Sequence, residues 1–594
     1  MTNKYRNLTA AEISQLERQG NCAEDWTTVR VAEPFCAECV RNSTFEGAVS
    51  LGTIENCKHT DEALSLREGI YNSTLANVTL GNHPTVHNVR MLSGYTVGDD
   101  VLLFNIDEMT CDPSNPVWLE PMNENGGRRI LPFGGMTIGD AYLWARYRGR
   151  KGLMEKLEQF TRDLLSTPEG RYGRIGDHCV IKNTKSLHNV IVRSSADDPS
   201  RIDSCITLRN GVVGYGCTVE YGIIAERFLL GEHVHLEFGL RLNDTVVGDN
   251  STLARCEVGN SIIFPAHEQH HNNSFLIAGL IMGQSNIAAG GTIGSNHNSR
   301  TADNEIAAGR GFWPGLCCSF KHSSRFASYC LLAKGDYPAE LDITLPFALV
   351  NNNTAKDQLE VMPAYWWMYN MYAMDRNSKK FAKRDKRKLK AQHIEFDNLA
   401  PDTAEEIFHG MEQLRQWMAA STDGTVYGQH QEKGKRKTVV LKAAEGLKAY
   451  EDMLVFYAMK TLDNPEISIF NFQFSIPTDW VNIGGQLVSK TDMEQLIADV
   501  ENGTIGSWQQ LHDRMDVLWK AYPAQREAHA YGVLCRLAGV DQLSDTLWQR
   551  YQQRYDEIKK FIEEQKVASR HKDEVNPFRN MTYWDDDERA AVLD

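Results

Sequence analysis

Five segments of the chain align on one another without a gap: VVGYGCTV (212–219), LLGEHVHL (229–236), VVGDNSTL (246–253), IFPAHEQH (263–270) and IMGQSNIA (281–288). Their third residues, Gly214, Gly231, Gly248, Pro265 and Gly283, stand 17, 17, 17 and 18 residues apart. A fixed period of this length is the mark of a solenoid, in which one small unit buries its apolar face only by stacking on the next. Within each unit two aliphatic residues precede the glycine and a turn-forming pair such as Asp249-Asn250 follows. Short strands of one hexad each, three to a coil, give about 18 residues per turn and predict a parallel sheet wound on itself with rungs about 4.8 Å apart. Gly, Asn, Asp or His at the corners accepts the positive φ that the bend requires.

The same signature continues upstream, where Gly81 and Gly98 are again 17 apart and Arg174-Ile175-Gly176-Asp177-His178 forms another rung. Residues 104–172 break the period with a Pro-bearing loop and a helical pattern around YLWARYRGRKGLMEKLEQFTRDLL, read as an excursion from the coil. After LDITLPFALVNNN (341–353) the pattern becomes helical: TAEEIFHGMEQLRQWMAA, AEGLKAYEDMLVFYAMKTL and DTLWQRYQQRYDEIKKFIEEQ place apolar residues at i, i+3, i+4 and i+7. Thr403 with Glu406 is read as a capping box. The expected organisation is an N-terminal segment (1–39), a β-solenoid (40–355) with the insertion 104–172, and an α-helical C-terminal domain (356–594). Trp366-Trp367 is read as helix-domain packing and DWVNIGGQL (479–487) as a turn that needs Gly484 and Gly485.

The hexads resemble those of the left-handed β-helix, or hexapeptide-repeat, proteins. The whole chain, including NENGGRRILPFGGM and DWVNIGGQL, also resembles a large bacterial β-helix family labelled nucleotide-sugar pyrophosphorylase-like. The first resemblance implies a left-handed parallel β-helix that packs as a homo-oligomer, a trimer in such proteins. The second implies sugar or nucleotide-sugar chemistry. GGRRILP itself lacks the Gly-Thr step of a nucleotidyltransferase loop and follows β-helix rungs, so no nucleotidyltransferase domain is expected.

Composition narrows the partners. The formal charge of −15 disfavours non-specific nucleic-acid binding. The first 20 residues hold no apolar core of the kind an export signal needs, no run is long enough for a membrane helix, and the 13 cysteines are an odd number. The expectation is a cytoplasmic protein with reduced thiols. The basic run Lys379–Lys390 is read as a solvated helix face or linker, with phosphate contact as the alternative.

Chemistry is sought where the repeat is broken. His83, His178, His233 and His267 follow a rung Gly or Pro by two residues and are read as corner residues. In PAHEQHHNNS (265–274), however, Glu268, His270 and His271 stand where other rungs put Ser, Thr or an apolar residue. SNHNSRTADNE (295–305) and SFKHSSRF (319–326) follow, both polar and off-period. Three such loops converging on one spot would make a site. Hexapeptide-repeat acyltransferases use a loop histidine as general base. By that resemblance His271 or His297, with His270 beside them, would take the proton, and Glu268 would orient the imidazole. Asn272, Asn273, Arg300 and His322 would bind substrate, and acyl-CoA or a nucleotide-sugar would be the donor. A second expectation is zinc on His233, His267 and His271, by similarity to the β-helix carbonic anhydrases. A third is a non-enzymatic scaffold or sugar-binding module. Cys36 and Cys39, with Cys57 and His59, form a weak further metal motif.

Overall fold

A computed structural model describes residues 5–112, 117–123, 127–294, 304–463 and 478–593. Parallel strands stack from Cys22–Ala23 on Thr44–Leu51 through to Arg325–Phe326 on Asp342–Ile343, in sheets of 22, 10 and 6 strands. The coil is a β-solenoid whose interior is three columns of aliphatic side chains. Ile181, Ile202, Val219, Leu236 and Leu253 form one; Leu187, Leu208, Ala225, Leu242 and Val258 the second; Val192, Val213, Leu230, Val247 and Ile263 the third. All are buried. Each rung covers the next, which is why a chain of short strands holds together without long-range sheet pairing. The corners are where expected: His83, His178, His233 and Asn250 have φ of 52, 56, 53 and 56°.

The period is less even than the sequence alignment implies. The step from Arg241 to its partner Glu257 is one shorter than the regular step from Ile224 to Arg241, and the step from Glu257 to Phe275 is one longer. The gapless alignment therefore misplaces one rung. Ala266, not His267, takes the left-handed corner (φ 65°), and His267 falls one position later, into the column of Cys217, Val234 and Ser251 inside the coil. Another irregularity lies upstream. Val180 pairs with Arg201, where the regular step would bring it to Asp197, and the surplus forms a loop that carries Asp198.

The helices are α1 (Ala10–Arg18), α2 (Ile138–Arg146), α3 (Lys151–Leu165), α4 (Tyr365–Tyr369), α5 (Met371–Arg384), α6 (Pro401–Ala419), α7 (Ala443–Leu462), α8 (Lys490–Glu501), α9 (Trp508–Ala538), α10 (Asp545–Glu574), α11 (Pro577–Asn580) and α12 (Asp586–Leu593). The excursion begins after Glu108–Thr110, which still pairs on the coil, and ends at Arg174–Ile175. Its helices α2 and α3 cover one outer face of the solenoid. Ile191, Val212, Leu229, Val246, Ile262 and Leu280 project outward in a row and are buried with Phe133, Trp144, Leu496 and Trp508. Insertion and C-terminal domain thus share one apolar core on the coil. The hairpin Trp480–Ile483/Gln486–Ser489 turns through Gly484 and Gly485 (φ 68 and 111°). A Cβ on Gly484 would lie 2.4 Å from the Gly139 amide nitrogen at the start of α2. Trp366 and Trp367 are core residues. One local expectation is corrected: α6 starts at Pro401, so Thr403 accepts the Ala400 N–H at 3.0 Å, while Glu406 accepts from Ser328 rather than closing a capping box. Among the described residues no helix is long and apolar enough to cross a membrane.

Candidate functional site

Strand register decides what each residue of PAHEQHHNNS does. His267 is fully buried. Its Nε2 donates to Gln269 Oε1 at 3.2 Å and its Nδ1 accepts from Ser285 Oγ at 2.8 Å, while its own amide donates to Ser251 Oγ. Burial holds its pKa down to about 4, so the ring is a neutral hydrogen-bonding plug between coils. Glu268 and His270, one residue to either side of Gln269, point outward. His270 Nδ1 donates to Glu268 Oε2 at 3.0 Å, and the His271 ring lies 4.5 Å from the His270 ring. Thr252 pairs with Glu268 across a short step, but Cys256 pairs with Ser274 across a long one. The corner between them is therefore enlarged, and His271, Asn272 and Asn273 stand exposed on it.

The basic run closes on this edge from the C-terminal side. Arg384, the last residue of α5, donates to Glu268 Oε1 at 2.6 Å, and Lys380 Nζ lies 3.6 Å from the same oxygen. Burial lowers the Lys380 pKa, with Glu268 acting against that shift. A carboxylate on Nδ1 fixes the imidazole tautomer and leaves Nε2 for proton transfer, and two cations against one carboxylate leave positive charge for an anionic group.

From Arg384 the chain runs as a strap over the corners of neighbouring coils. Arg387, with 1% of its side chain exposed, forks onto Asp249, Asp385 and the Gln392 carbonyl. Asn250 adds a hydrogen bond to Asp385. Burial opposes ionisation of Asp385, but the Arg387 contacts outweigh it and hold its pKa down to about 2. The Lys388 amide donates to Asp198 Oδ2 at 2.9 Å, and His233 Nε2 donates to Asp198 Oδ1 at 3.0 Å. The run keeps the exposed side chains of a solvated face at Lys379, Lys383, Lys386, Lys388 and Lys390, while Arg387 and the Lys388 amide tie it to the acidic corners.

Beneath the strap lies a small cavity of about 20 Å³ bounded by Thr137, Arg193, Glu232, Asp249 and Gln392. That is room for about one water. Glu232 is 5% exposed, and neither of its carboxylate oxygens has a partner in normal hydrogen-bond geometry, although the Ala391 amide approaches. Burial first, then the neighbouring Asp249, push its pKa up to about 7. A second cavity of the same size shares Thr137 and Gln392 and reaches Asp140 and His512, whose Nε2 donates to Asp140 Oδ2 at 2.7 Å. Burial disfavours the charged His512 ring, yet Asp140 outweighs it and the pKa is raised. The sequence held a signal for Glu232. Asp99, Asp177 and Asp249 occupy the same corner slot, and each accepts the amide of the preceding coil, at 2.7, 2.8 and 3.1 Å. Glu232, one methylene longer, makes no such bond.

The other expected site residues are dispersed. His322 is buried and donates to the Ile277 carbonyl at the far end of the strand Ser274–Ile277 from His271. His297 and Arg300 lie outside the described residues. The zinc set is not assembled: His233 faces Asp198, His267 is inside the coil and His271 is exposed at another corner. Among the described residues no group of three His, Cys, Asp or Glu is placed to hold a metal. Cys36 and Cys39 approach to 3.4 Å between sulfurs, and both are free, as is Cys57.

A model of the family described as "Domain of unknown function (DUF4954)" matches residues 5–418. An uncharacterised protein of Treponema pallidum (strain Nichols) is 42% identical over 652 aligned residues, which cover 99% of this chain and 90% of the relative. The family match takes in the whole solenoid, the insertion and the strap, and on that extent the chain belongs to the DUF4954 family.

Proposed function

We propose that the protein is a sugar- or nucleotide-sugar-directed transferase with His270 as general base, built on a left-handed β-helix. The observation that carries the proposal is the His270–Glu268 pair at the solenoid edge with Lys380 and Arg384 against it. His270 Nε2 takes the proton of an acceptor hydroxyl as its oxygen bonds to the electrophilic carbon of the donor. The bond to the donor's leaving group breaks with its electron pair. Both donor classes the fold resemblance implies, nucleotide-sugar and acyl-CoA, carry a diphosphate, and Lys380 and Arg384 are the cations within reach of it. Asn272 and Asn273 stand beside the base as polar groups for a sugar hydroxyl. The free cysteines support a reducing, cytoplasmic setting.

Thermal-shift titration with UDP-sugars and with acetyl-CoA separates the donors. One class raises the melting point of the parent protein, and the rise is lost in Lys380→Ala/Arg384→Ala. His270→Ala keeps the shift and loses transfer to a sugar acceptor by roughly 100-fold or more. If neither donor class shifts the parent, the transferase proposal fails.

A further inference from the structure

Two features of the C-terminal domain take no part in the reaction above. The first is the segment after α10. Phe578, Met581 and Trp584, three residues apart, are 83, 72 and 91% exposed, and Val575 precedes them at 56%. Asp585, Asp586, Asp587 and Glu588 follow directly. A cluster of large apolar side chains left in water marks an interaction site, and this one is apolar first and acidic after.

The second feature is a groove of about 850 Å³ between α6, α7, α9 and the first turns of α10. Its floor is Met411, Val455, Leu537, Leu547 and Tyr551. Its walls carry five Arg or Lys and four Asp or Glu. Glu451 is paired with Arg415, and Asp452 and Glu557 with Arg554. Lys448 and Arg550 are exposed and form no ion pair with any described residue. Arg536 is paired with Glu405, and Glu412 is the wall carboxylate without a cation partner among the described residues, so Lys448 and Arg550 leave an apolar floor under a surplus of one positive charge, the complement of the tail.

We propose that the tail of one copy of this chain seats in the groove of a second copy, Phe578, Met581 and Trp584 on the floor and the acidic run against Lys448 and Arg550. The tail's own groove is a poor fit for reach. Helix α10 carries the chain from Glu557, the last of its residues on the groove, to Glu574, by about 26 Å at about 1.5 Å per residue, and Phe578, four residues further on, can reach back only about 14 Å. The stretch from Val575 to Trp584 covers that distance, at about 30 Å, only when fully extended and with α11 unwound. Reciprocal exchange about a twofold axis satisfies both tails at once, as closed dimers do.

Sedimentation velocity of the full chain over a concentration series tests this. The parent is expected to dimerise. Phe578→Ala/Trp584→Ala, at positions exposed in the single chain and so without effect on its fold by circular dichroism, is expected to raise the dissociation constant by about 30-fold or more. Lys448→Glu/Arg550→Glu weakens the dimer similarly, and adding Asp586→Lys/Asp587→Lys to that variant restores it. A parent that stays monomeric at every concentration overturns the proposal. So does an oligomer, such as a trimer through the coil faces, that the tail substitutions leave unchanged.

Discussion

Two neighbouring stretches of the coil, 231–250 and 265–274, begin with the same grammar, a Gly or Pro with a histidine two residues on, and end in opposite places. In the first, the regular step is kept, so His233 bends the corner at φ 53° and reaches outward to Asp198. In the second, the shortened step moves every following residue by one slot. His267 turns into the core, and Glu268 and His270 face out. One residue removed from a coil thus exchanges inside for outside, as a register slip does in any pleated sheet. The surplus is returned at the next corner, where His271, Asn272 and Asn273 protrude. A candidate site and a buried polar plug have one cause.

The strongest way to break the comparison is at the strap. Arg387→Ala leaves Asp249 buried without its cation and Asp385 with only Lys390 at 3.7 Å, and is expected to destabilise the fold by about 3–5 kcal/mol in urea titration. Arg384→Ala, at the more exposed contact with Glu268, is expected to cost less than about 1 kcal/mol. Equal effects would mean that the strap is not graded in this way. Next comes the histidine pair. His267→Ala opens a cavity and strands Gln269 and Ser285, which costs about 2–4 kcal/mol, whereas His233→Ala at the partly exposed corner costs about 1 kcal/mol.

Glu232→Gln is expected to work in the other direction. A carboxyl with a pKa of about 7 in the folded protein and about 4.3 unfolded binds more protons when folded between those values. Its contribution to stability is complete below about pH 4.3 and is lost as pH rises through about 7. The neutral amide escapes that loss, so the variant should melt above the parent near pH 8, by the equivalent of about 3–4 kcal/mol, and level with it near pH 4. A difference independent of pH would show that Glu232 is not the titrating group. The smallest effect on stability is expected from His270→Ala, within about 0.5 kcal/mol, although its effect on transfer is the largest.

The solenoid was legible because its signal is local and repeated: Gly214, Gly231 and Gly248 recur at a fixed step, and the aliphatic residue directly before each of them stands in an interior column. The helices of the second half were legible from their apolar spacing. The excursion was visible as a break, but its cover over the row from Ile191 to Leu280 was not, since an outward aliphatic residue on a rung reads the same whether a helix lies on it or water does. Glu268 and His270 were found as departures from the rung pattern. His267 was misplaced because a gapless alignment hides a short step followed by a long one. Glu232 was missed because a Glu among corner Asp residues looks conservative until the bond that each Asp makes is seen.

The sequence by itself determined the coil, its period, its corners and the helical second half, since each follows from neighbours within one turn of chain. Only the tertiary structure decided which way the residues after Pro265 face, that Lys380, Arg384, Arg387 and the Lys388 amide reach Glu268, Asp249 and Asp198, and that Glu232 lies buried beneath them. The first follows from a step between adjacent coils, and the other two join residues more than a hundred positions apart. Such contacts depend on how the insertion and the C-terminal helices share one face of the solenoid, and no local periodicity records that.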